Sequence, residues 1–350
     1  MMNPGLALNI IIFSLGIHLL THLLVPLNIR FSNKFKIVAQ PNERRIHKTC
    51  IPEAGGLSFG LPLLLAQIVF ALALLPGESK WMLIQMAGVG GLVLLFGVID
   101  DRYESRARYK VLWQLGVGIL MYFIGFRVLS VTNPFGPEFV LGWLSFPVTL
   151  IWYLAVLNAI NLIDGIDGLA SGICVIVCAV LLIVGIKESN ALVTTLSAFL
   201  LAGNLAFLRF NFHPAKIFLG DTGAQFNGLI IAAISTAGTA QYKGITSMTL
   251  IIPLSVLAIP LIDMSLAVFR RLRMGSIFAA DKSHLHHAML ALGLSQKAIS
   301  LIVYTVTLLF GLIAIGFSFS SKKILFAVLL GLLILMVVVA YVLMRQERKK

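Results

Sequence analysis

Charge is what this sequence has least of. Only 12% of its 350 residues are Asp, Glu, Lys or Arg, about half the share of an average soluble domain. With 59% hydrophobic residues and a mean hydropathy of +0.98, the chain cannot be a water-soluble globule. Cysteine is scarce too. Cys50, Cys174 and Cys178 show no paired or metal-type spacing, which excludes a disulfide framework and a thiolate zinc site. Cys174 and Cys178 sit one helical turn apart in an apolar run and read as packing. The N-terminus lacks the basic n-region and cleavage site of a signal peptide, so its apolar stretch reads as a retained span. Internal repeats, low-complexity segments and a large soluble domain are all missing. Any chemistry must therefore use short loops.

What the chain has in abundance is apolar runs of spanning length. They cover approximately 4–27, 57–75, 81–99, 111–131, 143–161, 170–186, 191–208, 224–240, 246–269, 297–317 and 323–344, each long enough to cross a bilayer. The expectation is an all-α integral membrane protein, a single polytopic domain over residues 1–350 with about eleven transmembrane helices. An odd number puts the termini on opposite sides. Basic residues set the direction. Most of the 27 Lys and Arg fall in one set of loops: Arg30 to Lys48, Arg102 to Lys110, Arg209 and Lys216, Arg270 to Lys297, and the tail from Arg345. This points the N-terminus outside and the C-terminus into the cytoplasm. It also accounts for the net charge of +13 without nucleic acid.

The acids follow a second pattern. All seven Asp (Asp100, Asp101, Asp164, Asp167, Asp221, Asp263 and Asp281) lie in the expected cytoplasmic loops or at cytoplasmic helix ends. Short carboxylates gathered among basic loops suggest an anionic ligand held through a divalent cation. The most concentrated stretch is Asn158-Ala-Ile-Asn-Leu-Ile-Asp-Gly-Ile-Asp-Gly-Leu169. Asn158, Asn161 and Asp164 recur every three residues and would share one helix face. Gly165 and Gly168 loosen the backbone, so the reading is a helix whose cytoplasmic end unravels into a polar pocket. A carboxylate near membrane depth is costly and needs a job, a partner or a wet boundary; the plain alternative is a polar helix end at the headgroups.

Elsewhere, Asp100-Asp101 closes the third span. Adjacent like charges raise one pKa unless a cation intervenes, so the pair reads as a Mg²⁺ or general-base site, or as one member capping. Gly220 and Gly223 frame Asp221 before the next span, suiting a metal ligand or a helix cap. The first cytoplasmic loop carries Pro41, His47, Lys48, Pro52 and then Gly55-Gly56, whose plain reading is helix packing. The loop 270–298 holds Arg270, Arg271, His284, His286 and His287. Lacking further zinc ligands, it reads as a phosphate contact, with His284 and His287 facing one way and His286 structural.

Together these motifs resemble the polyprenyl-phosphate N-acetylhexosamine-1-phosphate transferases of glycosyltransferase family 4. The resemblance covers nearly the whole chain, with five cytoplasmic motifs in order: Pro41…His47-Lys48…Gly55-Gly56; Asp100-Asp101; Asn158…Asp164-Gly…Asp167-Gly-Leu; Asn211…Phe218…Gly220-Asp221-Thr-Gly; and His284-Leu-His-His287. The last is similar to the GlcNAc-1-phosphate and teichoic-acid branch. The MurNAc-pentapeptide translocase branch shows three consecutive His, which this chain lacks. One departure is Ala39-Gln40-Pro41-Asn42, where the branch usually reads Asp-x-Pro-Asn.

The resemblance implies transfer of an N-acetylhexosamine-1-phosphate, foremost GlcNAc-1-phosphate, from a UDP-sugar to undecaprenyl phosphate. UMP is released, at a multi-pass site in the bacterial inner membrane, and the step opens the synthesis of a cell-envelope polysaccharide. It implies Mg²⁺, with Mn²⁺ as the substitute. Asp221, Asn161 and Asp164 would hold the metal, and Asp100 with Asp101 would organise the acceptor or act as base. Lys48, Asp167, Asn211 and Phe218 would form the nucleotide pocket. His284, His286, His287, Arg270 and Arg271 would meet diphosphate or sugar. Asp263 would pair with the Arg residues or touch sugar. Direct attack is the simpler chemistry for such a set. A homodimer stays open. The competing class is an ion-coupled transporter, which normally places its site near the midplane between inverted repeats.

Overall fold

The computed structural model describes residues 3–39, 50–131, 133, 138–240, 250–273, 284–317 and 322–347. In hydrocarbon every backbone polar group must be satisfied within the protein, and apolar runs of about 20 residues do so as helices. The order is α1 (Pro4–Lys34), β1 (Val38–Ala39), β2 (Ile51–Pro52), α2 (Gly56–Leu74), α3 (Gly77–Tyr103), α4 (Ala107–Ile124), β3 (Ser130–Val131), β4 (Phe139–Val140) and a 3₁₀ turn (Gly142–Leu144). Then come α5 (Ser145–Ile163), α6 (Leu169–Lys187), α7 (Ala191–Asn211), α8 (Gly220–Ala240), α9 (Ile251–Val256), α10 (Ala258–Arg273), α11 (Leu285–Ala291), α12 (Gln296–Phe317) and α13 (Lys322–Glu347). The strands form two antiparallel ribbons, β1 with β2 and β3 with β4.

Among the described residues, eight helices are long and apolar enough to cross a membrane. They are α1, α2, α3, α5 with its preceding turn, α6, α7, α12 and α13. The protein is thus an all-α, multi-pass membrane protein. Helices α4 and α8 coincide with two further expected spans. Of the stretch expected as one span over 246–269, the described part from Leu250 holds two helices, α9 and α10, parted at Leu257. Pro260 accounts for the break, because it has no N–H to offer the carbonyl one turn earlier.

Helix α8 is the centre of the bundle. Thr222 to Ala237 is buried throughout, with α3 and α5 as its main neighbours and α2 and α7 beside them. Lipid offers no hydrophobic drive between helices, so small residues set the approach. A Cβ on Gly56 would lie 2.3 Å from the Gly223 nitrogen, and one on Gly97 2.4 Å from the Thr222 Cα. The first turn of α8 is therefore gripped by α2 and α3, and the packing role expected for Gly55-Gly56 holds. The adjoining chain is tied as well: Phe218 N donates to Pro52 O, while Gly55 N and Gly56 N donate to Phe218 O and Leu219 O. On the outside, Leu8, Ile12, Leu15, Leu19 and Leu23 of α1 stay exposed, as a lipid-facing stripe should.

Candidate active site

The sequence motifs converge where α3, α4, α5 and α8 end together. Asp100 and Asp101 occupy the last turn of α3, but they point to different partners because successive helix residues are about 100° apart. Asp100 is 1% exposed. Its Oδ1 accepts from Ser105 N at 2.9 Å, and its Oδ2 lies 2.6 Å from Lys110 Nζ. Lys110 reaches on to Asp221 Oδ2 at 2.8 Å. Asn161 Nδ2 donates to Asp221 Oδ1 at 2.5 Å. One ammonium thus bridges two carboxylates from α3 and α8, and α5 closes the group through Asn161.

Asp101 is spent on α8. Its Oδ1 accepts from Asp221 N at 2.6 Å, and its Oδ2 from Thr222 N at 3.2 Å and Thr222 Oγ1 at 2.5 Å. It caps the orphan amides of a helix that is not its own. Gly220 is required here. Its φ is +70°, and a Cβ would meet Asp101 Oδ2 at 2.5 Å.

Helix α5 ends at Ile163, as the Asn/Asp spacing anticipates, and Asp164 follows as its cap residue. Burial first, then the charge of Asp221, pushes the Asp164 carboxyl well above the usual carboxylate range. Gly168 turns the chain with φ +75° into α6. Asp167 fastens the loop after α7: its Oδ2 accepts from Ala215 N at 3.1 Å and lies 2.7 Å from His213 Nδ1. Asn211 is buried, accepting from Ser171 Oγ at 2.6 Å and donating to Ile217 O at 3.0 Å. Its hydrogen bonds serve that loop rather than a ligand. Phe218, half-buried, is anchored by its backbone to Pro52 and Gly55.

The His motif closes a second side. Asp263 of α10 lies 3.0 Å from His284 Nδ1 through Oδ2, and accepts from Leu285 N at 2.9 Å through Oδ1. It orients His284 and starts α11. The rings of His284 and His286 stack at 5.8 Å, and His286 and His287 lie 4.3 Å apart. His286 packs on Gly165, where a Cβ would meet its Nε2 at 2.0 Å. This joins the His turn to the Asp164 stretch. Burial, then the neighbouring His287, pushes the His286 ring down to about 3, so it is neutral. Arg270 and Arg271 stand in the last turn of α10, partly buried. Lys48, His47 and Asp281 lie outside the described residues.

Two residues escaped the sequence reading. Lys110 was hidden among orienting charges; its signal was a Lys at the first turn of a span, within reach of the Asp pair. His213 carried no motif signal.

Mg²⁺ commonly uses one or two carboxylates, waters and substrate phosphates rather than a complete protein cage. The site fits that habit. Asp100 and Asp221 share Lys110, and the Asp164 carboxyl, pushed up first by burial, also feels the charge of Asp221, which a cation would relieve. No group of three or more His, Cys, Asp or Glu forms a ready cage among the described residues.

The comparisons with known proteins give the family. Residues 81–239 match the model of glycosyl transferase family 4. The chain is 34% identical over 335 residues to a probable undecaprenyl-phosphate N-acetylglucosaminyl 1-phosphate transferase of Bacillus subtilis, covering 95% of this chain and 92% of the relative. It is 33% identical over 312 residues to a decaprenyl-phosphate N-acetylglucosaminephosphotransferase of Mycobacterium leprae, covering 81% and 77%. It is 32% identical over 305 residues to the undecaprenyl-phosphate alpha-N-acetylglucosaminyl 1-phosphate transferase of Escherichia coli K12, covering 84% and 80%. The chain belongs to glycosyl transferase family 4, in its polyprenyl-phosphate N-acetylhexosamine-1-phosphate transferase group.

Proposed function

We propose that this protein transfers GlcNAc-1-phosphate from UDP-GlcNAc to undecaprenyl phosphate and releases UMP. The site faces the cytoplasm at the bacterial inner membrane, with the N-terminus outside and about eleven membrane crossings. The observation that carries the reading is Lys110 bridging Asp100 and Asp221, with Asn161 completing the group at the end of four helices. The names of the relatives supply the sugar and the polyprenyl acceptor.

The chemistry suits these residues. An acceptor phosphate oxygen attacks the phosphorus joined to the sugar, and the bridge to UMP breaks. Both reactants are anions, so positioning and charge stabilisation carry most of the catalysis. Asp100 takes the proton of the acceptor phosphate, whose own second pKa is about 6. Lys110 holds Asp100 and shields the incoming phosphate. Mg²⁺, on Asp221 with Asp164 and Asn161, would screen the diphosphate when bound. His284, oriented by Asp263, and Arg270 with Arg271 meet the phosphates or sugar. Asp167 and Asn211 shape the loop that presents Phe218 to uracil, and Lys48 completes the nucleotide side. The isoprenoid tail stays in lipid while its phosphate reaches the helix ends.

The test is a donor comparison on purified protein with undecaprenyl phosphate and Mg²⁺. UDP-GlcNAc should release UMP, and UDP-GalNAc and UDP-MurNAc-pentapeptide should not. Turnover with one of the others alone would move the sugar assignment. Silence with all three, in folded protein, would remove the reaction.

A further inference from the structure

The helices that build the site carry a second polar tier one turn deeper. Gln114 is four residues after Lys110 on α4, Asn158 three before Asn161 on α5, and Gln225 four after Asp221 on α8. Each offset keeps a side chain on the same helix face about one turn, or roughly 5 Å, away. Asn158 Nδ2 donates to Gln114 Oε1 at 2.6 Å, tying α5 to α4 directly beneath the Lys110 level. The position of Gln225 follows from two contacts. Asn161 touches Asp221, and a Cβ on Gly228 would meet the Leu157 Cα at 2.8 Å. So α5 and α8 run antiparallel, and Gln225, on the face shared by Asp221 and Gly228, lies level with Asn158.

This tier is not satisfied by protein alone. Gln225 is fully buried, and both Nε2 and Oε1 lack a partner; Gln114 is 1% exposed, and its Nε2 lacks one too. Buried carboxamides left orphaned are destabilising, whereas an internal water needs only two to four such partners.

We propose that Gln114, Asn158 and Gln225 enclose an internal water site that locks α4, α5 and α8 in register, so that Gln225 is a positioning residue for Lys110, Asn161 and Asp221. The water accepts from the Gln114 and Gln225 amides and donates to Gln225 Oε1. The tier sets the rotation of three helices whose next turn carries the reacting geometry. It rests on the proposed reaction only for its kinetic readout.

The experiment compares wild type with Gln225→Leu, which keeps the volume and removes the polar atoms, and Gln225→Asn, which keeps both polar atoms and leaves room for a second water. Gln225→Leu should lower kcat roughly tenfold, as expected for slightly misplaced groups, with the donor KM within about twofold. Gln225→Asn should recover most of the loss. An unchanged kcat in the Leu variant would overturn the proposal, because the atoms would then be idle orphans. An Asn variant as slow as the Leu variant would also overturn it, since volume alone would matter. A wild type without turnover would sink the proposed reaction, but the thermal midpoint would still decide the tier. A midpoint lowered by Leu and restored by Asn supports it, and one raised by Leu overturns it.

Discussion

Asp101 holds Asp221 by its backbone, with Asp101 Oδ1 2.6 Å from the Asp221 amide nitrogen. Its neighbour Asp100 reaches the Asp221 side chain instead, through Lys110. Two adjacent carboxylates thus serve one residue in two ways: one fixes where it stands, and the other shares its cation. This division explains why an Asp pair, rather than a single Asp, closes α3.

Alanine at the two ends of that relationship should separate folding from chemistry. Asp101→Ala removes the acceptors of three hydrogen bonds and should cost about 1–2 kcal/mol of stability, the usual worth of a helix cap. Asp221→Ala should abolish UMP release while leaving the thermal midpoint close to wild type. Thermal unfolding and UMP release on both variants check this. An Asp101→Ala protein as stable as wild type would contradict the capping role.

Lys110→Met keeps the length of the side chain and removes the cation between Asp100 and Asp221. Turnover should fall by about 10²–10³, the range for losing one charge-stabilising donor. Lys110→Arg should recover only part of it, because a planar guanidinium does not replace a point charge between two carboxylates. Initial rates at saturating donor read this directly.

Much of this was legible in advance, for identifiable reasons. Hydropathy marks spans because lipid demands length and apolarity together, so the all-helical class and most helix limits follow. The Asn161, Asp164 and Asp221 cluster is legible because polar groups at helix ends in such a chain are costly unless used. Lys110 was not legible, since a cytoplasmic loop Lys is the ordinary orienting charge. The split between Asp100 and Asp101 depends on helix rotation and on a neighbour 120 residues away in the chain. The break at Leu257 was missed because Pro253 and Pro260 are both tolerated in apolar runs. Asn211 sits in a motif that implied a nucleotide contact, yet its partners Ser171 and Ile217 come from folding, not spacing.

His286 makes stability depend on pH. Its ring is pushed down to about 3 by burial and by His287, below the 6.5 of a free histidine. Between those values the unfolded chain binds the proton and the folded one does not, so stability rises with pH and is lost as pH falls below 6.5. The slope is about 1.4 kcal/mol per pH unit for a single such group. His286→Gln should flatten the fall of the thermal midpoint between about pH 6.5 and 5. An unchanged profile would contradict the buried neutral state.

Asp263→Asn should impair His284 without disturbing the metal side. It replaces a charged acceptor of the His284 ring, and losing such a charge-assisted bond is worth about 1.5–3 kcal/mol, or roughly 10- to 100-fold. The loss should appear in kcat/KM for the donor, with the Mg²⁺ concentration at half-maximal rate unchanged. A large shift in that Mg²⁺ requirement would place Asp263 with the metal ligands instead.

The most direct measurement follows labelled UDP-GlcNAc into lipid. Purified protein, undecaprenyl phosphate and Mg²⁺ should yield labelled lipid and UMP in equal amounts, with both lost on adding EDTA and both absent for Asp221→Ala. Folded wild-type protein that makes neither product, or an Asp221→Ala protein that makes both at the wild-type rate, would contradict the account.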